Sequence, residues 1–127
     1  MSSVEGDLPI LLFKARNDAL ALRKMAPDPE MADEIVGFHA QQTVEKALKA
    51  VLETRGVDYP YTHDLARLFQ LLDDSGGAPG DRDHALALSP WAAEFRYGDV
   101  VVGSLDRDRA LAVATSILAW AEREVAP

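Results

Sequence analysis

The sequence predicts an all-α protein, an antiparallel up-and-down bundle of about five helices. Apolar residues recur every three or four positions over long stretches, which is the period of an amphipathic helix. Hydrophobic residues make up 48% of the chain, and alanine and leucine, which favour helices, supply much of that share. The 127 residues suit one hydrophobic core, so we expect a single domain over residues 1–127.

The first helix is predicted over residues 7–25, where leucine and alanine side chains form one apolar stripe. Pro27 and Pro29 end this helix, because proline has no backbone N–H and disfavours helical geometry in the residue before it. The central helix therefore follows a short break.

The central helix is predicted to begin at Pro29 or Glu30 and to end at Thr54, with Gly56 as its C-terminal cap. Gly37 lies inside this helix, where glycine costs about 1 kcal/mol relative to alanine. We therefore expect a neighbouring helix to approach closely at Gly37.

Three further helices complete the predicted bundle. Thr62 is a natural N-cap for a third helix, which ends in the polar, glycine-rich segment 73–80. The remaining predictions are a fourth helix over residues 82–95 with a break or kink at Pro90, a loop over residues 98–103, and a last helix over residues 105–125.

One face of the central helix carries a polar row beside its apolar stripe. Its members lie three or four positions apart, so they can contact one another: Gln42, Glu45, Lys46 and Lys49. A solvated flank joined by salt bridges is one interpretation of this pattern. The other is a binding site in which Lys46, Lys49 and Arg96 converge on one anion-accepting surface beside Glu45.

Three blocks of sequence resemble those of the HEPN family, small helical proteins often encoded beside a minimal nucleotidyltransferase. They are FHAQQTVEKALKAVL at residues 38–52, THDL at residues 62–65 and RYGD at residues 96–99. The resemblance extends from about residue 11 to residue 120 and implies a helical bundle that forms a homodimer. It also implies a minimal nucleotidyltransferase partner, in the manner of a toxin–antitoxin pair, with a nucleotide or another phosphate-bearing group as the candidate ligand.

The THDL block places His63 next to a predicted helix N-terminus, where a neutral imidazole could accept or donate one proton. The alternative is that His63 packs against the end of the bundle. His39 is expected to be a partly buried packing residue and His84 a solvated one. The three histidines show no metal-ligand spacing, and the sequence contains no H-E-x-x-H motif. No metal site is therefore predicted.

The RYGD block provides the second cluster of candidate residues. Arg96 offers five N–H donors in a planar fork suited to a carboxylate or a phosphate, and Tyr97 offers a stacking face with a hydroxyl. Alternatively, Arg96 binds Glu94, Asp99 or Glu45 and has a structural role. The candidate ligand-binding residues are thus Gln42, Glu45, Lys46, Lys49, His63, Asp64, Arg96, Tyr97 and Asp99, with no cofactor predicted.

One motif of the family is missing. HEPN members that cleave RNA carry an arginine followed, after four to six residues, by a histidine. No arginine of this sequence has a histidine at that spacing, and the relevant positions after Arg96 hold Val101, Val102 and Gly103. Without that imidazole, general acid–base cleavage lacks its usual proton carrier, so no catalytic residue is predicted. A ribonuclease that uses His63 with Arg96 and a purely structural oligomerisation module are the alternative functions.

Charge and composition exclude several classes of protein. The formal net charge of −8 argues against a general nucleic-acid binder, whose affinity comes from lysine and arginine contacts to phosphates. The absence of cysteine excludes disulfides and thiolate metal sites. The first nine residues do not have the pattern of a secretory signal, and no run of 18 apolar residues occurs. We therefore expect a soluble cytoplasmic protein.

Overall fold

The computed structural model describes residues 8–92 and 104–127. Within these ranges the chain forms five α-helices and one short 3₁₀ helix, and no strand. They are α1 (Ile10–Met25), α2 (Asp33–Thr54), α3 (Leu65–Asp73), α4 (Arg82–Leu86), the 3₁₀ helix Ser89–Trp91 and α5 (Arg107–Val125). The predicted all-α bundle is confirmed.

Helix α2 is the centre of the bundle. It packs most extensively against α1 and α5, and it also contacts α3 and the 3₁₀ helix. Its predicted apolar stripe, which includes Val36, Val44 and Leu48, is completely buried. Because neighbours surround it on several sides, α2 also buries polar side chains, and these form the candidate site described below.

The C-terminal end of α2 forms as the sequence predicts. Gly56 has a φ of +70°, a left-handed conformation that glycine adopts without strain. The N–H of Val57 donates to the carbonyl of Leu52 at 2.9 Å, and the N–H of Gly56 donates to that of Glu53 at 3.1 Å. These two bonds define a Schellman motif, which satisfies carbonyls at the end of the helix.

The N-terminal end of α2 differs from the prediction, because the helix begins at Asp33 and not at Pro29 or Glu30. Asp28 accepts a hydrogen bond from the N–H of Glu30 through Oδ1 at 2.9 Å, which stabilises a turn in place of helix. Local side-chain bonding of this kind competes with helix formation.

Arg107 holds this turn from the other side of the bundle. Its guanidinium group donates to the carbonyl oxygens of Ala26 (3.1 Å), Asp28 (2.9 Å) and Met31. Its Nε atom also donates to Oδ1 of Asp33 at 2.9 Å. One side chain from the first turn of α5 thus fixes the connection between α1 and α2.

Asp33 is bound from two directions. The backbone N–H of Leu105 and the guanidinium group of Arg107 both donate to its carboxylate, and these bonds lower the pKa of Asp33 below its ordinary value. The start of α2 is thereby attached to the start of α5.

Gly37 lies against the ring of Trp91. A Cβ atom at position 37 would be 2.6 Å from Cδ2 of the indole, closer than any real contact. The close approach predicted at Gly37 is confirmed, although the neighbour is the 3₁₀ helix and not a long helix. Because Trp91 is buried, its ring cannot simply move into solvent.

Gly37→Ala is therefore expected to destabilise the protein by about 1–2 kcal/mol, although alanine favours a helix by about 1 kcal/mol. Urea denaturation of the variant measures this change. Gly80→Ala is the matched control, since no atom lies within 4 Å of a Cβ placed there. A smaller cost for Gly37→Ala in a Trp91→Leu background would identify the indole as the cause, and an equal cost would contradict it.

Three further helix predictions need correction. Asp64, and not Thr62, is the N-cap of α3, because its carboxylate accepts the N–H of Ala66 at 3.0 Å. Thr62 instead accepts the N–H of Asp64 at 3.0 Å, which forms a turn before the helix. His63 therefore precedes α3 and is not part of its first turn.

The fourth helix is shorter than predicted, since α4 ends at Leu86 and the chain continues into the 3₁₀ helix that contains Pro90. Proline is favoured at the first positions of a helix, so Pro90 suits the start of the 3₁₀ helix, which is separate from α4. The predicted loop over residues 98–103 lies outside the described residues. The last helix begins at Arg107, two residues later than predicted, because Asp106 is its N-cap and accepts the N–H of Arg109 at 3.0 Å.

Candidate functional site

The carboxylate of Glu45 is the centre of a buried polar cluster on α2. The amide of Gln41 donates to its Oε1 at 2.9 Å, and the ammonium group of Lys49 donates to its Oε2 at 3.0 Å. Nδ1 of His63 lies 2.9 Å from Oε1 and 3.0 Å from Oε2. Gln42 extends the cluster by donating to Oε1 of Gln41 at 2.7 Å. We name these five residues the inner cluster.

The inner cluster is closed to solvent at its centre. The side chains of Glu45 and Lys49 are only 5% and 11% exposed. Within residues 8–92 and 104–127, no buried side-chain nitrogen or oxygen atom lacks a hydrogen-bond partner. Burial of charged groups costs free energy through lost hydration. Pairing of the two charges and complete hydrogen bonding keep this cost small.

The surroundings of Glu45 act on its pKa in opposite directions. Burial raises the pKa, but hydrogen bonds from Gln41, His63 and Lys49, together with the charge of Lys49, outweigh burial and lower it. Glu45 is therefore ionised at neutral pH, so it is an acceptor for its three neighbours.

Two aromatic residues from the loop before α3 contact this cluster. The Lys49 ammonium group lies 5.5 Å from the centroid of the Tyr59 ring, and the ring of Tyr61 meets His63 edge-on at 5.9 Å. The hydroxyl of Tyr59 lies 2.6 Å from Oε2 of Glu53, and burial together with this bond raises the Tyr59 pKa above its ordinary value. Tyr59 therefore stays a neutral hydrogen-bond donor.

A second cluster lies at the contact between α1 and α2. Asp18 of α1 binds two side chains of α2, with Oδ1 at 2.9 Å from Nδ1 of His39 and Oδ2 at 2.7 Å from Nζ of Lys46. We name these three residues the outer cluster. His39 and Lys46 are about a quarter exposed, so the cation of this cluster meets solvent, whereas Lys49 of the inner cluster is nearly covered.

The family to which the chain belongs follows from a comparison of its sequence with family profiles. The profile of the HEPN domain matches residues 10–124 of the 127-residue chain. The chain belongs to the HEPN family. Comparisons with curated proteins and with solved structures gave no match.

In this HEPN domain the predicted polar row is divided between the two clusters. Lys49 binds Glu45, as the spacing predicts, whereas Lys46 binds Asp18. Lys46 follows Glu45 directly, and adjacent positions on a helix point about 100° apart, so the two side chains face different neighbours. Lys46 and Lys49 thus have different partners, and their convergence with Arg96 on one anion-accepting surface stays a prediction. Whether either lysine binds a ligand stays a prediction.

The other predicted site residues of the HEPN domain have different positions. His63 is in the inner cluster, and Asp64 is the N-cap of α3. Arg96, Tyr97 and Asp99 lie outside the described residues. His39 is partly buried and His84 exposed, as the sequence predicts.

Sequence reasoning missed two members of the clusters, Gln41 and Asp18, and one neighbour of the inner cluster, Tyr59. Gln41 has the same four-residue spacing to Glu45 that predicted the bond between Glu45 and Lys49, so this spacing could have identified it. Asp18 and Tyr59 reach the clusters from other elements of the chain, and no local pattern indicates their partners.

Each cluster of the HEPN domain contains one carboxylate–imidazole pair. Where Nδ1–H donates to the carboxylate, Nε2 keeps its lone pair and can accept a proton or a hydrogen bond. Glu45 orients His63 in this way, and Asp18 orients His39. Orientation by a carboxylate is a common property of a catalytic base, although it also occurs in purely structural networks.

The described parts of the chain hold no group of three His, Asp or Glu side chains suited to a metal ion. Among the helices of the same ranges, none is long and apolar enough to cross a membrane.

Proposed function

We propose that this HEPN domain is a non-catalytic homodimeric module that acts with a minimal nucleotidyltransferase, in the manner of a toxin–antitoxin pair. The observation that carries the proposal is the missing Arg-x4–6-His pair in a chain that otherwise matches the HEPN domain over nearly its whole length. Without the histidine of that pair the domain acts by binding, because general acid–base cleavage needs a positioned proton carrier.

Two measurements test this proposal. Light scattering at micromolar protein concentration should give the mass of a dimer, and a monomer would end the homodimer part of the proposal. If a small nucleotidyltransferase is encoded beside this protein, co-expression should give a complex of the two chains. An unrelated neighbouring gene, or no complex, would favour an oligomerisation module with no such partner.

The proposed ligand is a nucleotide or another phosphate-bearing group. Lys49 is nearly covered and bound to Glu45, so a phosphate would have to displace a buried carboxylate to reach it. Lys46 is 24% exposed and keeps donors that are not used by Asp18, which makes it the more accessible cation. Arg96 and Tyr97 would supply further contacts from the RYGD block.

Calorimetric titration with ATP and AMP tests the ligand proposal. A charge-assisted contact to phosphate contributes about 1.5–3 kcal/mol, so Lys46→Ala and Arg96→Ala should each weaken binding about ten- to a hundredfold. Arg67→Ala is a matched control, because this exposed arginine on α3 belongs to neither cluster. No binding by the wild type would contradict the proposal.

A ribonuclease is the second candidate function, and one observation favours it. His63 is held by Glu45 through Nδ1 and is about one-third exposed, so its Nε2 could exchange a proton with a ribose hydroxyl. The sequence lacks the arginine–histidine spacing of the nuclease motif, so the pair of His63 and Glu45 is the sole support for this function. We therefore place it second.

We expect the purified protein alone to leave single-stranded RNA intact. A labelled oligoribonucleotide, incubated with the protein and separated on a gel, measures cleavage. Activity that disappears in a folded His63→Ala variant would contradict this expectation and make the ribonuclease the leading function. Activity that survives the substitution would come from a contaminating nuclease.

A further inference from the structure

The outward face of α1 carries an apolar stripe that the described part of the bundle leaves partly exposed. Ile10, Phe13 and Leu20 are 71%, 46% and 41% exposed. Asn17 and Lys24 are also exposed and lie on the same face, so the steps along the stripe are three, four, three and four residues. This face is opposite the buried one, which includes Leu12, Ala15 and Leu22.

Alternating steps of three and four residues are the pattern by which one helix packs along another. Apolar residues occupy three of the five positions. The residue at the central position is Asn17. A polar residue at one such position fixes the alignment of two paired helices at some cost in stability. The stripe therefore has the pattern of a helix-pairing seam, although no helix within residues 8–92 and 104–127 pairs with it.

The charges beside the seam are all of one sign. Lys14, Arg16 and Arg23 occupy the flanking positions that face a partner helix in such a pair. Arg16 binds Glu122 at 3.1 Å and lies over the Phe13 ring, whereas Lys14 and Arg23 form no ion pair with any residue in the described ranges. This basic border stands out in a chain whose net charge is −8.

We propose that the outward face of α1 docks an amphipathic helix of a partner protein, one whose apolar stripe is bordered by aspartate and glutamate. Opposite charges at flanking positions select the partner of a paired helix. Two copies of α1 would bring two basic borders together, which disfavours self-pairing. The proposal rests on α1 alone and holds whether or not the partner is a nucleotidyltransferase.

A membrane surface or a nucleic acid fits this face less well. Insertion into a lipid surface would bury Asn17 in the middle of a stripe with only three large apolar side chains. The net charge of −8 repels polyanions, whereas the contact with a short acidic helix depends mainly on the local border of lysine and arginine.

A pair of designed peptides tests the proposal with the full chain. Both are helices of about three heptads with leucine along the seam and one central asparagine, and they differ only in carrying glutamate or lysine at every flanking position. Fluorescence anisotropy should show that the glutamate peptide binds and that the lysine peptide binds at least tenfold more weakly. Higher salt should weaken binding of the glutamate peptide.

Substitutions on α1 locate the contact. Leu20→Ser should weaken binding of the glutamate peptide about tenfold, because it removes one seam contact from an exposed position without touching the core. Reversal of charge in the double variant Lys14→Glu, Arg23→Glu should weaken binding of the glutamate peptide and strengthen that of the lysine peptide. Arg123→Glu, an exposed reversal on α5, is the control and should change neither.

Thermal unfolding of each variant checks that the fold is intact. Equal binding of the two peptides, no binding of either, or binding that is insensitive to the α1 substitutions would overturn the proposal. Loss of self-association in Leu20→Ser, measured by sedimentation, would also overturn it, since the seam would then pair two copies of this chain.

Discussion

Replacement of Glu45 by alanine is expected to lower the free energy of unfolding by about 3–5 kcal/mol. The substitution leaves Lys49 as a buried cation without a carboxylate, and it also removes the acceptor used by Gln41 and His63. A buried ion without a partner lowers the free energy of unfolding by far more than the intact ion pair had contributed to it, because its charge is no longer compensated. Urea denaturation at neutral pH measures the loss.

The double variant Glu45→Leu, Lys49→Met separates the charge from the volume of these side chains. It removes both ions and keeps apolar bulk, so it should cost less than Glu45→Ala alone. Arg82→Ala is the control on the surface, because it breaks an exposed ion pair with Asp73 and should cost much less than Glu45→Ala. A similarly small loss in Glu45→Ala would contradict our description of the inner cluster as a buried ion pair.

Arg107→Ala is expected to destabilise the protein by about 3 kcal/mol. The guanidinium group satisfies carbonyl oxygens of Ala26, Asp28 and Met31 and binds the carboxylate of Asp33, and hydrogen bonds to a charged donor contribute about 1.5–3 kcal/mol each when they act alone. These bonds share one side chain, so their contributions do not add. Urea denaturation measures the total.

Arg107→Lys tests whether shape or charge matters. Lysine carries the same charge but lacks the planar fork that reaches several oxygens together, so most of the stability should still be lost. Arg109→Ala is the matched control two residues further along α5, since Arg109 is mostly exposed and its side-chain ion pair within the described ranges is a long one, 3.9 Å to Asp106. If Arg107→Lys kept full stability, a single charge near Asp33 would be sufficient and the fork would not be needed.

Properties that depend on neighbours along the chain could be predicted from the sequence. The apolar stripe of α2, the cap at Gly56, the close approach at Gly37 and the bond between Glu45 and Lys49 all follow from the geometry of one helix or its end. The three blocks that resemble the HEPN family are also local sequence patterns. The match over residues 10–124 confirms the family that they predict.

Properties that depend on how the helices pack could not be predicted in this way. Lys46 binds Asp18, which lies 28 positions earlier on α1, and no pattern along the chain indicates this partner. His63 meets Glu45 only because the loop before α3 folds back over α2, and the first residue of α2 depends on a turn that Arg107 holds from α5. The helical period determines the direction in which a side chain leaves the axis of its helix. The residue that this side chain contacts depends on the position of a second helix or loop, which only the tertiary structure decides.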